Sequence, residues 1–301
     1  MWHKASTLPA AAPPLRSYPG VAALAADYDG FILDLWGVIH DGVAVFPGVI
    51  DALTRIDAAG KRFLMLSNAP RRADDVIRRI EKIGVPRSLY HAVMSSGEEA
   101  WRHLKNRDEP FYAALGRRCL HICSERDLEM REGLDLDWVA TPEEADFILN
   151  TGPAEWEDTH EDYAPVLEAA RKRDLPMVCA NPDLVVIHDG RTALCAGAIA
   201  EQYEALGGRV RWHGKPYRSV YDSCLGLLGV ADRARILAIG DSLRTDIAGA
   251  AGAGIPSLFI AGSGIHGAEF TKDGRLDLDR VETAIREAGV SPIGVAAAFV
   301  W

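Results

Sequence analysis

Positive charge is what this sequence has least of relative to its size. Its 33 Lys and Arg stand against 43 Asp and Glu, a formal net charge of −10, so a nucleic-acid partner, which calls for a basic face, is not expected. The deficit leaves room for a small anionic substrate, because a bound cation and one well-placed lysine can reverse the local field. No apolar run reaches the length of a transmembrane helix, and no membrane partner is expected. The first twenty residues, MWHKASTLPAAAPPLRSYPG, carry too many prolines and no continuous apolar stretch for a secretory leader. They read as an arm laid over the surface. Cysteines number five (Cys119, Cys123, Cys179, Cys195, Cys224), an odd count scattered through apolar segments. That pattern suits reduced, buried thiols of a cytoplasmic protein rather than a disulfide framework. Cys119 and Cys123 fall in a stretch whose alternation reads as a strand, which argues against a metal pair. Internal repeats are absent, as is low complexity beyond the Ala/Pro start.

With 301 residues, 48% of them hydrophobic, the chain can bury the cores of two moderate domains or one large one. FILDLW is a short apolar run of the kind that forms a strand buried on both faces. GVIDALTRIDAAGK places Ile50, Leu53 and Ile56 on one helical face and stops at Gly60. RFLML then reads as a strand and RADDVIRRIEKIG as a helix closed by Gly84. Much later, RILAIG and IPSLFIA are strands with the small-residue helix RTDIAGAAGAG between them. Such alternation argues a parallel, doubly wound sheet. The middle region is also α/β, with strands at CLHIC, DFILN and PMVCA, a helix over YAPVLEAARKR, and a hairpin turning at Asp189-Gly190. The expected architecture is α/β: a Rossmann-like parallel-sheet core with an inserted α/β domain. Its divisions are an arm over 1–27, a discontinuous core over 28–105 and 209–301, and the insertion over 106–208.

Ligands of open α/β sheets bind beyond the carboxyl ends of the strands. LAADYDGFILDLWGVIHDG offers several carboxylates, and this rule separates them. Asp27 and Asp29 precede the strand and read as a solvated turn, whereas Asp34 ends it, just before Gly37. Three other places supply partners. FLMLSNAPR ends a strand in Ser67 and Asn68, a hydroxyl and an amide suited to phosphate oxygens. WHGKPY supplies Lys215 before a helix, with Pro216 at a favourable first-turn position. ILAIGDSLRTD ends a strand in Gly240-Asp241 and sets Asp246 at the start of the next helix. Singly, each is a helix cap or a solvated lysine; together they form a site.

The order and context of LDLWGV, LSN, GKP and GDSLRTD resemble the haloacid dehalogenase superfamily of aspartate-nucleophile phosphotransferases. More narrowly the chain is similar to the class IIA branch, which includes sugar-phosphate, phosphoglycolate, pyridoxal-phosphate and 4-nitrophenyl phosphatases. The resemblance runs from Asp29 to Gly267. It includes MSSGEEAW and CANPDLVVIHDG…CAGAIAEQYEALGG, which look like the edges and body of that branch's large cap. It implies a Mg²⁺-dependent phosphohydrolase acting on a small phosphorylated metabolite, sugar-phosphate-like or aryl. Asp34 would attack phosphorus and form an aspartyl-phosphate. Mg²⁺ would be held by Asp34, the backbone carbonyl of Trp36, and Asp241. Ser67 and the neighbouring backbone N–H at Asn68 would bind phosphoryl oxygens, Lys215 would neutralise the charge shared by nucleophile and phosphate, and Asp246 would support the lysine or the metal from behind. Asn181 and Asp183 in ANPD would contact the leaving group, and the cap would serve as a homodimer surface.

The chain departs from the resemblance at Trp36, where such phosphatases carry a second aspartate that protonates the leaving oxygen. An indole N–H does not titrate usefully, and losing general acid–base help costs ~10²–10⁴-fold. His40 is near in sequence, although a histidine in a turn usually serves structure. The competing class is therefore a regulatory protein that keeps the metal–phosphate pocket but turns over poorly. Two other features are decoys. GSGIHG, Gly262 to Gly267, matches a dinucleotide fingerprint but opens no long helix, and reads as a glycine-rich loop at the sheet edge. Trp101 and His103 read as helix-packing residues.

Overall fold

The computed structural model describes residues 15–188 and 191–301. In chain order the strands are β1 Gly30–Asp34, β2 Arg62–Ser67, β3 Ala92–Ser95, β4 Arg118–Ile122, β5 Asp137–Val139, β6 Phe147–Asn150 and β7 Pro176–Cys179. They continue with β8 Val185–His188, β9 Arg191–Leu194, β10 Arg209–Trp212, β11 Ile236–Gly240, β12 Ser257–Ile260, the two-residue β13 Thr271–Lys272 and β14 Arg275–Leu276, and β15 Gly294–Ala296. Six of them form one sheet in the order β15-β12-β11-β1-β2-β3, every pairing parallel. Five form a second, also all parallel, in the order β10-β7-β6-β4-β5. The expected architecture is what forms: a Rossmann-like core with an inserted α/β domain.

The apolar runs that announced the strands are explained by burial on both faces. Side chains alternate across a strand. Phe31 and Leu33 of β1, with Phe63 and Met65 of β2, pack into one core cluster, while Ile32, Leu64 and Leu66 pack into another on the opposite face. The insertion repeats the scheme: Leu120, Ile122 and Ile148 on one side, Cys119, Phe147 and Leu149 on the other. The helix expected before Gly60 spans Val49–Ala58 and buries Val49, Ala52, Leu53 and Ile56. The one expected before Gly84 spans Ala73–Ile83, with Gly84 at φ +116 as its left-handed cap.

Several expectations shift. β10, assigned to the core by the 208/209 boundary, hydrogen-bonds in register with β7, so Arg209–Trp212 belong to the inserted sheet. The described part of the arm is integral rather than superficial. Tyr18 N–H donates to the Val295 carbonyl and Val295 N–H to that of Arg16, each at 2.8 Å, and Val21 and Leu24 enter the core. The stretch RTDIAGAAGAG opens with a π turn over Leu243–Ile247 before the helix Ala248–Ala253. Pro216 stands outside the following helix, which begins at Arg218. It sits in a turn closed by Tyr217 N–H to the Gly214 carbonyl at 2.9 Å, with a cis Lys215–Pro216 bond. β8 and β9 pair antiparallel as the hairpin requires, and its Asp189-Gly190 turn lies outside the described residues. No helix among the described residues is long and apolar enough to cross a membrane.

Candidate active site

β1 lies between β2 and β11, so its carboxyl end is flanked by the ends of both neighbours. Asp34 is the last residue of β1, Ser67 the last of β2, and Asp241 follows β11 directly. Lys215 arrives from the turn after β10, and Asp246 from the π turn after β11. All four charged groups are buried: Asp34 8%, Lys215 3%, Asp241 2% and Asp246 5% exposed. Lys215 Nζ donates to Asp34 Oδ1 and, at 2.8 Å, to Asp246 Oδ1. Asp246 is fixed in turn by Ser242 N–H, 3.2 Å from its Oδ2, and its carbonyl accepts from the Tyr221 hydroxyl at 3.1 Å. Carboxylate oxygens of Asp34, Asp241 and Asp246 lie within 4.8 Å of one another.

Three carboxylates against one ammonium leave a net charge of −2 when all four are ionised. Burial, then the adjacent Asp246 carboxylate, push Asp34 well above the usual carboxylate range, against the pull of Lys215. Burial alone would lower Lys215, but Asp246 and Asp34 outweigh it and hold the ammonium above its ordinary range. A hard divalent cation with oxygen ligands fits this surplus in charge and in donor type. Two glycines keep the Asp241 side of the cluster close. Gly37, at φ +91, and Gly264, at φ +69, both approach the Asp241 carboxylate so nearly that a Cβ on either would overlap it.

The lysine is held through its backbone. Asn68 Oδ1 accepts from Lys215 N–H at 2.8 Å, and its Nδ2 donates to the Lys215 carbonyl at 3.1 Å and to Asp183 Oδ1 at 2.9 Å. Both amide donors of the side chain are thus committed, and Asn68 clasps the lysine turn. Behind the turn, Glu99 accepts from Gly214 N–H at 3.0 Å and lies 3.1 Å from His213 Nδ1, while the Tyr112 hydroxyl meets His213 Nε2. This buried support, joining residues more than a hundred apart, had no signal in the sequence.

Two family profiles match the chain, haloacid dehalogenase-like hydrolase over residues 31–137 and a related HAD-hydrolase-like profile over 212–288. A haloacid dehalogenase-like hydrolase structure from Brucella suis is 35% identical, with a TM-score of 0.78, covering 94% of this chain and all of that one. The chain belongs to the haloacid dehalogenase-like hydrolases. The glycerol-3-phosphate phosphatase of Gallus gallus is 27% identical over 247 residues, 75% of this chain and 77% of that protein. The structure of a glycerol phosphate phosphatase from Mycobacterium tuberculosis, in complex with calcium, is 25% identical with a TM-score of 0.61, over 78% of this chain and 66% of that one. Further solved structures share the fold of this chain, a possible sugar phosphatase and a 4-nitrophenylphosphatase among them. Membership of a family of hydrolases gives no support to the competing reading of a regulatory protein.

Within this hydrolase fold the remaining candidates sort by geometry. Asp29 pairs with the Arg235 guanidinium through two 2.8 Å bonds, and Asp41 accepts from Val43 and Ala44 N–H at 2.8 Å each, a turn motif. Ser67 Oγ accepts from Ala69 N–H at 3.2 Å beside the site. Trp36 is 44% exposed. His40 is buried, its Nδ1 accepts from Gly42 N–H at 2.9 Å as a structural turn contact, and burial lowers its pKa, which favours the neutral ring. GSGIHG is corrected in place: it follows β12, an inner strand, and abuts Asp241, with Ser263 Oγ donating to the Gly37 carbonyl at 2.6 Å. Trp101 and His103 pack as expected, under Arg72 at 3.5 Å and against Tyr112 at 5.0 Å. Asn181 Oδ1 accepts from Asp183 N–H at 2.9 Å, orienting the residue that reaches Asn68.

Proposed function

We propose that the protein is a Mg²⁺-dependent phosphohydrolase acting on a small phosphorylated metabolite through a phosphoryl group carried on Asp34. The observation that carries this reading is the buried cluster of three carboxylates and one lysine at the ends of β1 and β11. Asp34, the Trp36 carbonyl and Asp241 would hold the cation, with Asp246 supporting from behind. When bound, it neutralises the carboxylates and draws charge from the phosphoryl oxygens. One Asp34 oxygen attacks phosphorus, the leaving oxygen departs, and water then cleaves the aspartyl-phosphate. Lys215 offsets the repulsion between the nucleophile and the phosphate dianion, and Asn68 keeps it there. Ser67 faces the transferred group from the neighbouring strand end.

The inserted domain acts as a cap. It touches the core through Arg71–Asp127 at 3.2 Å, Arg78–Glu129 at 2.9 Å and Asn68–Asp183 at 2.9 Å. Its connections, after Asn106 and after Trp212, serve as hinges, so closure would exclude water and bring Asn181 and Asp183 to the leaving group. The relatives' glycerol phosphate activities favour a small polyol or sugar phosphate, and a cytoplasmic location and a homodimer through the cap complete the proposal. Phosphate release from a panel of phosphorylated metabolites with Mg²⁺ tests it: turnover of at least one, abolished by Asp34→Asn in a folded variant, is expected. Near-wild-type turnover by that variant would refute the mechanism.

A further inference from the structure

The reaction just described lacks a proton donor for the leaving oxygen. Trp36 stands two residues after the nucleophile with an indole, and His40 spends Nδ1 on the Gly42 N–H. On the inserted-domain side, the Asp183 carboxyl group meets the residue that holds the lysine turn. Asp183, just after β7, accepts from Asn68 Nδ2 at 2.9 Å, and that same nitrogen bonds the Lys215 carbonyl. Its backbone is pinned on both sides: Asp183 N–H donates to Asn181 Oδ1 at 2.9 Å, and its carbonyl accepts from Gly197 N–H at 3.0 Å. The Arg244 guanidinium stands 3.9 Å away, and 38% of the Asp183 side chain meets solvent, so a ligand can approach it.

We propose that Asp183 is the general acid–base of this enzyme, supplied by the inserted domain in place of the group that Trp36 displaces. The inference rests on Asp34 being the nucleophile. In the first half-reaction the Asp34 oxygen–phosphorus bond forms, the bond to the leaving oxygen breaks, and the Asp183 proton goes to that oxygen. In the second, water attacks phosphorus, its proton passes to the Asp183 carboxylate, and the Asp34 bond breaks to release inorganic phosphate. Both carboxyl groups end as they began. The surroundings shift this carboxyl group toward its protonated form. Burial raises Asp183 above the usual range, the Asn68 hydrogen bond, Lys215 and Arg244 pull it down, and Asp246 pushes it up, with a net rise. Nearby Cys195, pushed up to about 12 by burial, stays a neutral thiol. The acid must be protonated in the first step, so this rise extends alkyl-phosphate turnover to higher pH before it falls. An acid on the moving domain also ties proton transfer to closure, since an open cap carries the proton away from the phosphate.

Asp183→Asn is close in shape, and its amide oxygen still accepts from Asn68, so it removes the proton and little else. With full-length protein and Mg²⁺, kcat on glycerol 3-phosphate should fall ~10²–10⁴-fold, whereas 4-nitrophenyl phosphate, whose leaving group needs no proton, should lose roughly tenfold or less. The fall of kcat at high pH on the alkyl substrate should vanish in the variant. Asp183→Glu should recover part of the loss, and Trp36→Asp added to Asp183→Asn should recover more. Equal losses on both substrates, a change in KM alone, or an unchanged pH limb would reduce Asp183 to a positioning role and overturn the proposal. A wild type that cleaves aryl but no alkyl phosphates would overturn it too. Turnover of either substrate by Asp34→Asn would instead refute the underlying nucleophile assignment.

Discussion

The core sheet and the inserted sheet share a design and differ at their strand ends. Both are wholly parallel and buried on two faces. The core strands β1 and β11 end in Asp34 and Asp241, with Lys215 and Asp246 brought against them. The central inserted strand β6 ends in Asn150, whose Nδ2 donates to the Ala196 carbonyl at 2.9 Å, and next to it Thr151 Oγ1 meets His121 Nε2 at 3.1 Å. One sheet gathers like charges in the interior, where they repel unless a cation arrives; the other ends in neutral groups that bond within the domain, although Asn150 Oδ1 is buried without a hydrogen-bond partner. The contrast teaches that the fold supplies the crevice, while chemistry enters only where charge is left uncompensated.

That contrast can be broken from either side, and the largest effect belongs to the core. Asp34→Asn should cut phosphate release on the order of 10⁴-fold or more, while its melting temperature stays near that of wild type, because one repelling carboxylate disappears along with one partner of Lys215. Chelation comes next. EDTA should abolish activity and Mg²⁺ restore it, and Asp241→Ala should raise the Mg²⁺ requirement sharply in a titration of initial rates. Saturating Mg²⁺ at 100 times its Kd should stabilise wild type by about 2.7 kcal/mol, visible as a thermal shift that Asp241→Ala loses.

On the inserted side the signs reverse. Asn150→Ala should cost about 1–3 kcal/mol of stability, because it removes a buried hydrogen bond and opens a cavity, yet leave kcat unchanged; urea unfolding and steady-state kinetics separate the two. The smallest effect is at the junction. Arg71→Ala removes the guanidinium that pairs with buried Asp127, while Ser124 Oγ still donates to that carboxylate at 3.0 Å. Faster hydrogen exchange over residues 124–131, with a modest rise in KM, is the expected outcome. Unchanged exchange would show that this pair does not hold the inserted domain down.

How much of this was legible follows from the range of each interaction. Asp34 and Asp241 could be read because a buried strand announces itself by its own apolar run, and the carboxyl end of such a strand is where ligands bind. Lys215 and Ser67 came from motifs of a few residues. The Asn68 clasp was not legible because its partners, Lys215 and Asp183, lie 147 and 115 residues away, and no local pattern shows what a side-chain amide meets at that range. β10 was misassigned for a similar reason: its Arg-Val-Arg-Trp alternation marks a strand but not the sheet it joins, and only pairing with β7 places it. Asp183 was found as a contact, but its reach to Asn68 appeared only when the two domains were seen together.

The central claim is that the phosphoryl group rests on Asp34. Wild-type protein with Mg²⁺ and a turning-over phosphorylated substrate can be acid-quenched within the first turnovers, digested, and mapped by mass spectrometry. The peptide spanning β1 should carry the mass of one phosphoryl group at Asp34, labile to hydroxylamine and absent from Asp34→Asn. Steady turnover with no phosphorylated peptide in the quenched sample, or with the group on another residue, would contradict the account.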